Sequence, residues 1–280
     1  MNEDMFRKGW VYGIIFLFIG LSVTSSINGS IGKTSNQFAF EALANFPLNS
    51  GPLAYWKFDE CENDTAYDSS GHGYHGTIYG ATCGGGFIVF DGVDDYVDLD
   101  AHSENLGFNK TDNYKISIIG VKSTSTDTGV IYGMSHSIGN RVYVELELNS
   151  DGYFVFRVGT EECVINVTTT KTYNDDLWHN VECVYYGSTT TDPTLEIYVD
   201  GDLEDSVTEW QCPFSNEDFH TAKMGRKSHD SIDYFDGGID DVEIYKSTTG
   251  NQAPGKPSIT GPDEVKKGEQ NEYTFRAVDP

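Results

Sequence analysis

The sequence predicts an all-β fold, a two-sheet antiparallel sandwich, on three observations. Short runs of aromatic and β-branched residues alternate with polar ones, and Gly, Asp and Asn turns separate the runs every eight to twelve residues. No segment carries an amphipathic helical stripe long enough to compete. Fourteen such runs cannot bury both faces of one open sheet, so two sheets packed face to face is the economical architecture.

The runs follow in order. LAYWKF, from Leu53, alternates Ala54, Trp56 and Phe58; GTIYG (76–80), GFIVF (86–90) and DYVDL (95–99) are short and bounded by Gly or Asp. YKISIIGVK (114–122) and GVIYGM (129–134) are nearly continuous apolar runs suited to burial. RVYVELEL (141–148) and YFVFRV (153–158) flank Asn149, Ser150, Asp151 and Gly152, a hairpin signal that recurs at Asp200-Gly201 between TLEIYVDG and LEDSVT. CVINVTT (163–169), WHNVECVYY (178–186), AKMG (222–225) and GGIDDVEIYK (237–246) complete the set.

The domain therefore spans 51–248, after a linker at 31–50 that holds Asn45, Pro47, Asn49 and Ser50 at its end. Residues 1–30 read as an export signal: Arg7 and Lys8, a thirteen-residue apolar run from Val11 to Val23, then a small polar stretch. The run falls short of the roughly 18–20 residues of a membrane span, so contact with a membrane would come only through an uncleaved signal anchor. The expected location is secreted or cell surface, and sequons at Asn28, Asn63, Asn109 and Asn166 fit it. Residues 249–262 form a Pro/Gly linker and 263–280 start another domain, so the chain reads as a fragment of a longer surface protein. The 44 acidic and 18 basic residues give a net charge of −26, which argues against nucleic acid and anionic lipid as partners.

An exported chain should pair most of its five cysteines. Cys61 and Cys83 bracket a floppy Gly/Asp/Tyr loop whose closure a bridge would stabilise by roughly 3 kcal/mol. Cys183 alternates with Val181 and Tyr185 and should face the core, which leaves Cys163 with Cys212.

Four stretches together resemble the concanavalin A-like, laminin-G-like jelly-roll family, close to its pentraxin-type branch: YWKFDE (55–60), AYDSSGHGYHGTI (66–78), FDGVDDYVDL (90–99) and GGIDDVEIY (237–245). LWHNVECVYY and LEIYVDG between them are similar to the family's paired inner strands. The resemblance implies that the strand of Trp56 and Phe58 pairs with that of Ile239, Val242 and Ile244. It also implies a structural calcium, and the acids in the adjacent turns suit a hard cation that takes several oxygen ligands. Asp68 and Asp240 are the candidate ligands, with turn capping through backbone amides as the open alternative. Arg226, Lys227 and Ser228 stand where pentraxin acids would be, so calcium-bridged ligand capture does not carry over. The tail resembles the opening of an immunoglobulin-like or polycystic-kidney-disease-type repeat.

Two functions follow from different classes. One is a glycan-binding or adhesion module of a larger surface protein, with polysaccharide or glycoprotein glycans as partners and Trp210, Tyr234 and Phe235 as the exposed aromatic platform. The other is a spacer that contacts other surface proteins, or an accessory to a downstream hydrolase. An enzyme is not expected: no Glu-x-Asp-x-x-Glu dyad, zincin motif, nucleophile elbow or P-loop occurs. Glu145 and Glu147 alternate onto one face and read as the solvated side of an outer sheet.

Overall fold

The computed structural model describes residues 51–62, 64–136, 143–160, 163–188, 192–209 and 219–247, and the backbone of 255–260 and 274–278. Each of the fourteen runs contains a strand. In chain order the elements are β1 (Ala54–Glu62), β2 (Thr65–Asp68), β3 (Gly76–Tyr79), β4 (Thr82–Cys83), β5 (Ile88–Asp91), β6 (Tyr96–Asp98), α1 (Ser103–Leu106), β7 (Asn113–Lys122) and β8 (Gly129–Ser135). They continue with β9 (Tyr143–Leu148), β10 (Phe154–Thr160), β11 (Cys163–Thr168), β12 (His179–Tyr186), β13 (Thr194–Val199), β14 (Asp202–Thr208), β15 (Thr221–Met224) and β16 (Asp236–Ser247). The sequence reading missed β2 and β4, four and two residues long, because neither is long enough to display an alternation. Beyond them, β17 (Gly255–Thr260) and β18 (Thr274–Val278) pair antiparallel with each other, so a strand stands in the stretch expected to be linker.

Hydrogen-bonded neighbours follow the order β11-β10-β9-β8-β15-β6-β3-β2-β1-β16-β7-β12-β13-β14, with β5 joining β16 and β4 joining β5. The path rolls over so that β11 comes against β13 and β14, and the inner faces enclose one core. Tyr114 on β7 and Tyr132 on β8, both fully buried, meet across that core with their hydroxyls 3.2 Å apart. Phe108 stacks on Tyr114 at 4.2 Å and reaches Tyr185 and Phe219. Each fully buried side chain of this size stabilises the fold by roughly 1.5–3 kcal/mol, the main return on ordering the strands.

The terminal strands of the domain pair as expected, with Ala54 opposite Ile244 and Trp56 opposite Val242. The two Asp-Gly turns close the β9–β10 and β13–β14 hairpins. Cys183 is a fully buried free thiol between Val181 and Tyr185. Cys83 and Cys163 are disulfide-bonded. The side chains of Cys61 and Cys212, their expected partners, lie outside the described residues. Trp178 is half-buried: it lies edge-on to Phe87 and covers Gly238, where a Cβ would come within 2.7 Å of the indole.

The roll closes through side chains. On β14, Asp205 accepts the amide of Thr168, and Glu204 accepts the amide and hydroxyl of Thr170 and the Lys171 ammonium at 2.7 Å. Edge-strand amides that would be unpaired therefore have acceptors. Burial pushes the Glu204 carboxyl upward, but these donors outweigh it and hold the carboxyl down to about 2. A depressed carboxyl contributes stability that is complete above its unfolded value and is lost as the proton binds the folded state. Thermal melts of Glu204→Gln and the parent should therefore differ most above pH 4.5 and converge between pH 4.5 and about 2. A gap that is constant with pH would show that the charge is not what holds the seam.

Candidate functional site

Alternation decides which side chains leave the core. On β9, Val144, Leu146 and Leu148 face inward, so Tyr143, Glu145 and Glu147 stand on the opposite face. Glu145 has Gly133 opposite it on β8 and Arg157 opposite it on β10. Because Gly133 offers no side chain, the chain after β15 can fold down over this face, and Ser228 lies against Gly133 with its hydroxyl donating to Ser135 Oγ at 2.9 Å.

Gly225 starts that excursion at φ +84°, where a Cβ would come within 2.4 Å of the Phe90 ring. The Phe235 amide donates to the Gly225 carbonyl at 2.8 Å and closes the neck of the loop. Between them the loop walls a cleft of about 410 Å³ with Lys227, His229 and Asp230, facing the β9 acids and Arg157.

The outer-face acids are thus not solvated, which corrects the sequence expectation: Glu145 is 5% exposed and Glu147 7%. Strand alternation alone could not show that a loop 80 residues later covers them. The Arg157 guanidinium donates to Glu147 Oε2 at 2.7 Å. Burial opposes the charge on Arg157, but Glu147, and then Glu145, raise its basicity overall. Glu145 differs. Its Oε1 is buried and accepts no hydrogen bond, with the Lys227 ammonium 3.9 Å away, beyond hydrogen-bonding reach. Burial first, then Glu147 and Asp233, raise its carboxyl above the usual range against the pull of Lys227 and Arg157. A Glu-x-Glu on one strand with a glycine opposite was the available signal.

On the other flank of the loop, Tyr79 stacks on Tyr96 at 4.7 Å, and the Arg226 guanidinium lies over Tyr96 at 4.3 Å. Tyr79 is 46% exposed, and Tyr234 is half-buried close by, near enough to influence the Tyr96 hydroxyl. Phe235, expected beside Tyr234 on the platform, is instead 1% exposed and packs edge-on against Phe90. Tyr234 is followed by the first inward position of the returning strand, so adjacent aromatics point to opposite sides. Trp210 lies outside the described residues.

The calcium candidates separate. Asp68 accepts the amides of Tyr55, Ser70 and Tyr74 and the Ser70 hydroxyl, at 2.8–3.0 Å, so both its oxygens staple the turn. Burial raises this carboxyl, and those donors bring it below the usual range. Asp240 is 7% exposed on β16. Among the described residues, the acids whose oxygens converge within 4.8 Å are Asp91, Asp94 and Asp95. There the Asp91 side chain caps the amides of Val93 and Asp94, and Asp95 accepts the amide of Asp91.

Among solved structures, the chain is similar to the CBM40 of a Ruminococcus gnavus IT-sialidase bound to α2,3-sialyllactose. The identity is 13%, 57% of this chain and 89% of that chain are covered, and the TM-score is 0.47. It is also similar to the serotype D botulinum neurotoxin binding domain (12%, 70% and 47%, TM-score 0.49) and to a NanB sialidase mutant from Streptococcus pneumoniae (16%, 57% and 25%, TM-score 0.45). Likeness at these levels carries no ligand or activity across. No curated protein matches the sequence. A family model described as the concanavalin A-like lectin/glucanases superfamily matches residues 91–252, more than half of the 280-residue chain. With the antiparallel rolled sandwich and the β1–β16 closure in place, the chain belongs to the concanavalin A-like lectin/glucanases superfamily.

Proposed function

We propose that this chain is a non-catalytic glycan-binding module of a larger exported protein, and that its saccharide site is the cleft between β9, β10 and the 225–235 loop. The observation that carries the reading is the polar cleft of about 410 Å³ that Tyr143, Glu145, Glu147 and Arg157 line on one side and Lys227, His229 and Asp230 on the other. Carboxylates, a guanidinium and an ammonium around one cleft suit a polyhydroxylated ligand, and superfamily membership agrees with a saccharide. The Tyr79–Tyr96 stack supplies a second face for a sugar ring beside the loop.

Printed glycans provide the test. The parent chain should bind a restricted set of oligosaccharides, and Glu145→Gln should weaken that binding at least about tenfold while the melting temperature holds or rises, since a buried charge is removed. Absence of any bound glycan would overturn the reading.

We propose further that the chain is exported, that Cys61 pairs with Cys83 and Cys163 with Cys212, that a repeat follows the linker, and that Asp68 and Asp240 hold a structural calcium. For calcium, melting in millimolar calcium should exceed melting in chelator, because a ligand of the folded state alone stabilises it. Coincident curves would sink the metal.

A further inference from the structure

We infer that His179 is a pH-operated latch: its imidazolium ties the turn at 174–178 to the turn between β13 and β14, and its deprotonation releases Asp175 and loosens the first of these turns.

The ring is held at both nitrogens by acceptors. His179 opens β12 and is buried, with Nδ1 2.8 Å from Asp200 Oδ2 and Nε2 3.1 Å from Asp175 Oδ1. An ionised carboxylate only accepts, so both contacts are hydrogen bonds only while both ring nitrogens carry protons. Neutral imidazole has a single N–H. Loss of the second proton therefore leaves a bare ring nitrogen facing a carboxylate oxygen, and one of the two contacts has to open.

The two acids are unequally fastened. Asp200 sits in the hairpin turn at φ +54°, and its other oxygen accepts the Asn180 amide at 2.9 Å, so it stays in place. Asp175 is exposed, makes the longer contact with the ring, and through the same Oδ1 accepts the Leu177 amide at 3.0 Å. The last proton stays on Nδ1 toward Asp200, while Asp175 turns to solvent and takes the acceptor of Leu177 with it. Leu177 is itself exposed, so packing does little to hold it. The Tyr173 amide on the Gly152 carbonyl at 2.7 Å and the Asp176 amide on the Ser123 carbonyl at 3.2 Å still anchor the segment, so the release is local.

The charges around the ring favour the imidazolium. Tyr173 meets it edge-on at 4.9 Å, with Glu204 and Asp202 of β14 acting on the Tyr173 hydroxyl. Lys171 pairs with Glu204 and Lys122 with Asp176, and β7 places apolar Val121 opposite His179. Burial opposes the charge on His179, but Asp200 and then Asp175 outweigh it and raise its basicity above that of an ordinary histidine. A histidine raised in the folded state contributes stability that is complete below its unfolded value and is lost as pH rises through the folded one.

Two measurements on the intact chain test the latch. The His179 ring protons are followed by NMR across the neutral and alkaline range, and cleavage at Leu177 and Trp178 by a chymotrypsin-type protease is compared between the parent and His179→Gln at each pH. The ratio of the two rates cancels the protease's own pH dependence. His179 should titrate above about 6.5, the ordinary histidine value. The parent should be cleaved about tenfold more slowly than His179→Gln near about pH 6 and within about twofold of it near about pH 9. Asp175→Asn separates the latch from simple packing: its amide accepts from the imidazolium and, turned over, donates to the bare nitrogen. That variant should lower the His179 titration and stay closed at high pH. A His179 titration at or below the ordinary value, a rate ratio that does not change with pH, or an Asp175→Asn variant that opens with pH as the parent does overturns the latch. Should His179→Gln fail to fold, the NMR titration and Asp175→Asn decide between the same outcomes.

Discussion

Replacing Trp56 with alanine is expected to remove about 4 kcal/mol of stability, within the 3–5 kcal/mol typical of a large aromatic cut from a packed core. Trp56 is fully buried on β1, opposite Val242 of β16 on one side and Asp68 of β2 on the other. Its indole Nε1 donates to the Tyr74 carbonyl at 2.8 Å, so it packs the core and also fastens the turn that Asp68 staples. Alanine leaves both a cavity and an unpaired carbonyl, and that carbonyl lies near enough to the surface for water to relieve part of the cost. Trp56→Phe keeps most of the volume and loses the donor, so about 1–2 kcal/mol is expected. Urea unfolding measures both. A loss below about 1 kcal/mol for the alanine variant would mean that the strand pair holds without its central aromatic.

The second large effect is at Arg157. Arg157→Leu should cost about 2–3 kcal/mol at neutral pH, less than the 3–5 kcal/mol of a fully buried pair because its side chain is 29% exposed. Glu147 then loses its donor, and Glu145 loses one of its two neighbouring cations while remaining beside Glu147. The sign with pH follows. Arg157 favours the ionised form of Glu145, so this part of its contribution is present where Glu145 is charged and fades as it takes up a proton. The gap between parent and Arg157→Leu should narrow as pH falls through the carboxylate range. Glu145, already raised by burial, should protonate before an ordinary glutamate. Adding Glu147→Leu to Arg157→Leu should restore most of the loss, since an apolar pair of similar volume replaces an orphaned charge. A deficit that neither low pH nor the second substitution reduces would mean that Arg157 acts through packing by its aliphatic stem.

These two sites were unequally legible. Trp56 lay in an alternating run whose period assigns it to the core side, and its partner strand showed the same period. The same alternation separated Glu145 and Glu147 from the core correctly, yet gave them to solvent. Phe235 failed for a related reason: as a residue of a polar loop it looked exposed, but it is the first inward position of β16's approach and packs on Phe90. Gly133 and Gly225 were visible as glycines, and their roles needed the approach of Ser228 and Phe90 to give them meaning.

What the sequence determined by itself was local and periodic, namely fourteen strands, two tight hairpins and an inward thiol at Cys183, while the pairing of the first strand with the last was implied by the family resemblance. Those properties depend on neighbours one or two residues away or on matching patterns, and a strand's faces are fixed by its period of two. Only the tertiary structure decided the site. Burial of Glu145 depends on a loop from Gly225 to Phe235 crossing the outer face of β8 and β9, a contact between segments about 80 positions apart that no short-range pattern encodes. Whether an acid is solvated or trapped is set by what covers it, and here the cover comes from the opposite end of the domain.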